Sequence, residues 1–392
     1  MPQSGMLNNA MTSQTTPIAV CAWNQRENVL LAPYAMLSRH AEGRRYDEPH
    51  HAYRGPFQRD RDRVLHSAAF RRLSGKMQVF TGSMGDYHRT RLTHTHEVAT
   101  IARTIGRALR LNEDLIEALA LLHDIGHPPY GHSGETALSQ CLQAQGGFSH
   151  NDFALTLAEE LETRYTPYAG LNLTVEVLAG QSFRITHAGQ APLLEVQVVD
   201  LADSIAYNSH DVDDALKLGL IRLGQLDPLA LVKRARHWSD SNQILASMNA
   251  ARQLLVHSLI DVQVANVLDQ AIEILADVSE LDSTAVRQVG TLLAFSPLIA
   301  DERRELEQFL FDNVYRHPQL IEVRARASRR IEQMFELLSH NPQMLPERFQ
   351  NRVTRLGADR VAGEYLAGLT DHTCDELYTQ LIELGGREVI DW

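Results

Sequence analysis

The sequence predicts an all-α protein. Three observations carry this: apolar residues recur at helical spacing over most of the chain, capping signals stand at the predicted helix starts, and no alternating apolar–polar run exceeds a few residues. No internal repeat interrupts the pattern. With 392 residues there is ample chain for a large core.

The elements follow in order. Residues 1–20 are rich in Ser, Thr, Asn and Gln and read as a disordered arm. Residues 40–58, polar with Gly and Pro, read as loop, and helical patterning starts near Asp60. Leu92, Val98, Ile101, Ile105 and Leu109 form one helical stripe. Asn112 caps the next helix, Glu113 and Asp114 favour its first turn, and Leu115, Ile116, Leu119 and Leu122 form its apolar face. That helix should stop at Gly126, before Pro128 and Pro129. Residues 163–192 carry turn formers and read as loop with short elements. Residues 193–220, 243–282 and 301–340 are helical again, the last broken near His317–Pro318.

Composition bounds the function. No apolar run approaches the roughly 18 residues of a membrane span. Cys21, Cys141 and Cys374 lie far apart without CxxC spacing, which disfavours a disulfide framework or a thiolate zinc site. With no basic and apolar leader at the N-terminus, a reducing cytoplasm is the expected compartment. The net charge is −12, yet residues 54–110 carry twelve Lys and Arg against four acids. Eleven of the twelve are Arg, whose planar fork suits phosphate. The block therefore points to a local anionic partner, and its density to a long phosphate chain; the alternative is a solvated helical face.

The metal candidates come next. His94 lies four residues before Val98 and seven before Ile101, so it faces the inner side of its helix, whereas His96 points away. His123 and Asp124 end the following helix. Side chains adjacent on a helix diverge by about 100°, so a shared ligand must sit at the helix terminus. On the segment 194–216, Asp200, Asp203, Tyr207, His210, Asp211 and Asp214 fall on one stripe without Lys or Arg. Like charges so spaced repel, and a divalent cation would relieve them. Spacing alone leaves Asp200 and Asp203 as equal candidates. Imidazole nitrogens with carboxylate oxygens suit Mg²⁺ or Mn²⁺ first, with Fe, Co or Ni also compatible.

RLTHTHEV (91–98), HDIGHPPYGHSGE (123–135) and VVDLADSIAYNSHDVDDAL (198–216) resemble three successive blocks of the HD-domain deoxynucleoside triphosphate triphosphohydrolases, in particular the bacterial deoxyguanosinetriphosphate triphosphohydrolase-like proteins. FQRDRDRVLHSAAFRRLSGKMQVF (57–80) and VYRHPQ (314–319) match the same family. The resemblance implies an HD-domain helical core over 54–225, an N-terminal arm and loop over 1–53, and a C-terminal helical region over 226–392 that packs on the core. It implies His94, His123, Asp124 and Asp203 as metal ligands, so choosing Asp203 over Asp200. It implies Gln78, Arg91, Tyr207, Asp211, Tyr315 and Arg316 as substrate contacts. His132 and Glu135, three apart, form an acid–base pair by spacing, with His127 and His150 at matching family positions. The implied reaction is hydrolysis of a dNTP, dGTP or a broader range, to deoxynucleoside and triphosphate. A homo-oligomer and a dNTP or single-stranded DNA effector are also implied. Two departures bear on substrate preference. Met77 and Tyr130 stand where many relatives have Thr and Phe, so that Tyr130 adds a hydroxyl beside the site, and LAGQSFRITHAGQ replaces a segment that often carries a His-Asn pair. The competing readings are a regulatory HD module that binds nucleotide without turnover, and an HD phosphodiesterase or nucleotidase.

Overall fold

The structure, a computed structural model, describes residues 23–78, 89–186, 189–239, 248–386 and 389–392. The arm expected over residues 1–20 lies outside them, as does Cys21. Among the described residues there is no strand, only two isolated bridges, Arg44 with Thr174 and Met77 with Thr90. The architecture is all-α: a helical core with further helices on its N- and C-terminal sides.

After α1 (Trp23–Leu30), residues 41–55 form no helix. Pro56 then supplies the first position of α2 (Pro56–Leu65), where its missing N–H costs nothing. Ser67 caps α3 (Ala68–Arg72). Thr90 and Thr93 cap one another's backbone at the start of α4 (Arg91–Ala108), and the Asn112 side chain caps α5 (Glu113–Leu122). The chain leaves α5 at Leu122, four residues before the expected stop, and winds through Gly126 in tight turns, with Ile125 N–H on Leu122 O and His127 N–H on Asp124 O. α6 (His132–Cys141) and α7 (His150–Thr156) follow.

The loop expected over 163–192 is not all loop: α8 (Val175–Thr186) occupies its second half. β-branched residues and Gly180 weaken its local signal. Tertiary packing supplies the stability instead, since a Cβ at position 180 would lie 2.6 Å from Leu119 and 2.9 Å from Val196. α9 (Leu194–Lys217) runs 24 residues. Beyond it come α10 (Leu223–Leu226), α11 (Ala230–Ser239), α12 (Met248–Asp277), α13 (Ser283–Val289) and α14 (Pro297–Leu310). A wider turn over Phe311–Tyr315 ends at His317, and Pro318 opens α15 (Pro318–His340). α16 (Glu347–Leu356), α17 (Ala358–Ala367) and α18 (Asp371–Tyr378) are the last α-helices among the described residues.

α4, α5 and α9 pack against one another, and α15 crosses α6 and α17. One buried cluster joins Val98, Ile105, Leu115, Leu122, Val198 and Ile205 to Ile331, Met334 and Tyr365 of the C-terminal helices. A second gathers Val212, Leu231, Leu259, Leu306 and Leu310. α9 feeds both, its N-terminal half one core and its C-terminal half the other. Each fully buried Leu or Ile contributes about 1.5–3 kcal/mol, so the helices that carry the polar site residues are fixed by their opposite faces. No helix among the described residues is long and apolar enough to cross a membrane.

Candidate functional site

The site lies where α4, the end of α5 and α9 meet. His94 points inward from the first turn of α4 and is buried. Its Nε2 stands 3.1 Å from Asp203 Oδ1, and His123 Nε2 stands 3.7 Å from the same oxygen. These three groups present ligand atoms all within 4.8 Å of one another. Asp124 is next to them, with Oδ1 3.6 Å from His123 Nε2 and 3.1 Å from His127 Nε2, and Oδ2 3.0 Å from an Arg91 guanidinium nitrogen. Leaving α5 at Leu122 is what lets the neighbours His123 and Asp124 reach one spot.

The chemistry of these donors fits a divalent cation. His123 Nδ1 lies 2.5 Å from the Ala120 carbonyl, which assigns the ring proton to Nδ1 and leaves Nε2 as a lone pair. That Nε2 is buried and has no hydrogen-bond partner among the described residues. Burial pushes the His123 pKa down, against the pull of Asp124 and Asp203, so the ring stays neutral. Burial works against ionisation of Asp203 too, but the facing His123 ring, the bond to His94 and Arg184 outweigh it and hold the carboxyl well below its usual range. At Asp124 burial is likewise outweighed, by Arg91, His127 and His123. The neutral His123 ring and the His94 ring beside two ionised carboxylates offer the nitrogen and oxygen donors that a hard or borderline cation takes.

A second group adjoins the first. The His127 and His150 rings stack at 3.7 Å between centroids. Glu135 Oε1 accepts the His150 backbone N–H at 2.9 Å and faces its Nδ1 at 2.7 Å, and Oε2 lies 3.3 Å from His132 Nδ1. His127, Glu135 and His150 also bring three ligand-type atoms within 4.8 Å. Gly126 makes this possible, because a Cβ there would fall 2.0 Å from the His150 carbonyl. Burial, Arg91 and His150 together keep the His127 ring neutral, well below its ordinary pKa. His132 is half open to solvent and stands 6.4 Å, ring to ring, from Tyr207.

Beside Asp203 opens a cleft of about 650 Å³ between α9 and the end of α14, lined by Ser204, Tyr207, Asn208, Phe311 and Tyr315 among others. At its inner end the Tyr315 hydroxyl bonds Asp211 Oδ2, while Asp211 Oδ1 is buried without a partner among the described residues. Burial raises the Asp211 carboxyl to about 7, with Asp214 adding to the rise and the Tyr315 bond opposing it. Gln78 is buried near Arg91, which reaches its backbone carbonyl at 3.4 Å.

Arg316 is exposed, lies over Phe311 of the cleft wall and faces Asp312, whereas its neighbour Tyr315 points inward. Two expectations need correction. The Tyr130 hydroxyl is not beside the site; it bonds Asp375. The arginine block is not a phosphate patch. Arg54, Arg59, Arg61, Arg63, Arg89, Arg103 and Arg107 pair with carboxylates of this chain, and Arg91 is the member that reaches the site. His96, set aside from the sequence, indeed packs edge-on against Phe70.

Sequence reasoning missed the groups that hold these side chains. His94 Nδ1 meets His210 Nδ1 at 3.4 Å, and His210 Nε2 meets Glu97 at 3.0 Å, a relay that leaves His94 Nε2 free for Asp203's side. Burial, with Arg89 beside it, keeps the His210 ring neutral. Arg184 of α8 bonds Asp200 at 2.6 Å and approaches Asp203 at 3.5 Å. His210 stood on the polar stripe of α9, a usable signal, whereas Arg184 lay in a stretch read as loop and could not be oriented.

Comparison with known proteins identifies the family. A model of the HD domain matches residues 91–208, and one of a phosphohydrolase-associated domain matches residues 293–380. A deoxyguanosinetriphosphate triphosphohydrolase-like protein of Geobacter metallireducens is 39% identical over 376 residues, 90% of this chain and 95% of that protein. Proteins of the same name from Ralstonia nicotianae (41% over 357 residues, 87% of this chain and 92% of that one) and Nitrosomonas europaea (40% over 370 residues, 90% and 98%) are similar throughout. With a complete HD region and this identity along nearly its whole length, the chain is a phosphohydrolase that belongs to the HD-domain family of deoxyguanosinetriphosphate triphosphohydrolase-like proteins.

Proposed function

We propose that this protein hydrolyses deoxynucleoside triphosphates to deoxynucleoside and inorganic triphosphate, with a divalent cation, Mg²⁺ or Mn²⁺ foremost. One observation carries the reading: the His94–His123–Asp203 group, the Glu135-anchored histidines and the cleft ending at Tyr315 and Asp211 meet around one point, linked by the 3.1 Å contact of His127 with Asp124 and the 6.4 Å approach of His132 to Tyr207. A cation held by His94, His123, Asp124 and Asp203 would neutralise phosphate charge and polarise the α-phosphoryl group. Arg91, fixed by Asp124, orients the phosphate chain beside it. Tyr207, Tyr315 and Asp211 take the sugar end, and Gln78 borders the sugar or base.

The reaction joins a water oxygen to the α-phosphorus and breaks its bond to the 5′ oxygen. That oxygen leaves as an alkoxide unless it receives a proton. His132 is the donor, held by ionised Glu135; His150 bonds the same carboxylate, and His127, stacked on His150, joins the group to Asp124. The test is to supply each dNTP with Mn²⁺ or Mg²⁺ in ¹⁸O-water. Labelled triphosphate with unlabelled deoxynucleoside is the expected result. Pyrophosphate with a nucleoside monophosphate, or label in the deoxynucleoside, overturns it. Tight nucleotide binding without any turnover would make the protein a regulatory module.

A further inference from the structure

The C-terminal helix α18 begins directly behind the loops that deliver Arg91 and His132. Thr370 caps it, its Oγ1 accepting the Thr373 N–H at 3.2 Å. With that task done, Asp371 turns its carboxylate away from its own helix. Oδ2 accepts the Met77 backbone N–H at 3.0 Å and Oδ1 the Tyr130 backbone N–H at 2.8 Å. These are two different loops. Met77 pairs with Thr90 in the short bridge that sets Gln78 and the start of α4. Tyr130 opens the turn that ends at His132.

That turn is strained. Tyr130 has φ +60° and Gly131 φ +57°, two left-handed residues in succession, and the first is not glycine. A Cβ on Gly131 would come 2.8 Å from the Arg91 guanidinium. The turn is therefore pressed against Arg91 and held from outside. One helical turn beyond Asp371, Asp375 takes the Tyr130 hydroxyl and pairs with Arg330 of α15. Buried Lys76 adds a third tie, donating to the carbonyls of His127 at 2.5 Å and Ala367 at 3.0 Å.

We propose that Asp371 is a positioning residue for hydrolysis: by bonding the backbone of Met77 and Tyr130 at once, it sets the spacing between Arg91 and His132. The proposal rests on the functional reading of those two side chains given above. Asp371 touches no substrate and acts through the two loops. A displacement of about 1 Å at a reacting centre can cost on the order of 10²-fold in rate, so losing both bonds should be felt mainly in kcat.

The test compares Asp371→Asn, which keeps one acceptor, Asp371→Ala, which keeps none, and Asp375→Asn, which spares the backbone bonds. Each full-length variant is assayed with dGTP and Mn²⁺ well below its Tm, and amide hydrogen exchange is followed in peptides covering Met77 and Tyr130. The expected order is a kcat lowered roughly ten-fold in Asp371→Asn and roughly hundred-fold in Asp371→Ala. KM should change by less than the kcat, Asp375→Asn should stay near wild type, and exchange at both peptides should quicken in Asp371→Ala. A folded Asp371→Ala protein with wild-type kcat, or with unchanged exchange at both peptides, overturns the proposal, since an acid that only stabilises the fold lowers Tm and nothing else. If the wild-type protein releases no triphosphate, the functional reading fails by itself, and the exchange measurement still decides whether Asp371 ties the two loops.

Discussion

Glu135→Gln keeps the shape of a side chain that three donors share and removes its charge. In the protein Oε1 serves the His150 backbone at 2.9 Å and its Nδ1 at 2.7 Å, and Oε2 serves His132 Nδ1 at 3.3 Å. Burial pushes the Glu135 carboxyl up, but His132 and His150 together more than offset this and hold it well below the usual carboxylate range. It is ionised wherever the enzyme works. Glutamine can leave its one carbonyl oxygen on His150, and then its amide nitrogen faces His132. An imidazole facing an N–H donor must offer a lone pair there and give up its Nδ1 proton. It can no longer be the doubly protonated acid that a departing 5′ oxygen needs. A charge-assisted hydrogen bond is worth about 1.5–3 kcal/mol, and the half-exposed His132 places its share at the lower end. Loss of the proton donor adds to it, and general acid–base groups contribute roughly 10²–10⁴-fold. The expected kcat falls within that range, with bound metal unchanged and KM little altered. Triphosphate release under saturating dNTP, with metal content measured on the same sample, checks it. An unchanged kcat with a raised KM would make Glu135 a binding group. Loss of metal would place it among the cation's ligands.

Three further outcomes follow from the geometry. His94→Ala and Asp124→Asn should each abolish turnover and reduce bound metal by elemental analysis, and full occupancy in both would remove them from the ligand set; asparagine is chosen because, although it removes the charge as alanine does, its amide oxygen can still accept from the buried Arg91 guanidinium, which alanine would leave without an acceptor. Arg91→Ala should lower kcat/KM about ten- to hundred-fold for all four dNTPs alike, since phosphate contacts carry no base information; a drop confined to one base would refute its placement. Asp211 has a folded pKa raised from 3.8 to about 7, so the native state holds its proton more tightly than the unfolded chain, and the associated stability is present below pH 4 and lost as pH rises through about 7. Asp211→Asn should therefore remove a component, on the order of a few kcal/mol, from the fall in stability between pH 4 and 7, measured by urea unfolding; parallel curves for wild type and variant would refute the assignment.

Much of the fold was legible because the strongest helices are amphipathic and capped in sequence. Asn112 before α5 and the stripe Val98–Ile101–Ile105 needed no tertiary information. What escaped was structure that packing decides. α8 is held by Leu119 and Val196 closing on Gly180, contacts far apart in sequence. The stop of α5 at Leu122 was masked because Ile125 continues the apolar run, and only the turn through Gly126 shows why the helix must end earlier.

The site divides along the same line. Side chains aimed by a regular helix, His94 and the α9 stripe that holds Tyr207 and Asp211, could be put on a face by counting residues, although counting left Asp200 and Asp203 as equals and only the family resemblance chose between them. Side chains aimed by irregular turns could not, and Tyr315 and Arg316 show it: adjacent in sequence, one reaches Asp211 and the other solvent. The arginine block failed for a different reason. Local charge counts only the acids within the block, such as Asp62 and Glu97, whereas Glu48, Glu113, Asp213 and Asp214, which pair with Arg59, Arg63, Arg107 and Arg89, lie outside it and are brought in by folding. A basic block in an acidic chain is as readily half of an internal ion-pair network as a binding surface. The feature that separates Arg91 from its neighbours is that its partner, Asp124, lies against His123 and His127, so that one bond would orient both the ligand and the phosphate contact of the proposed function.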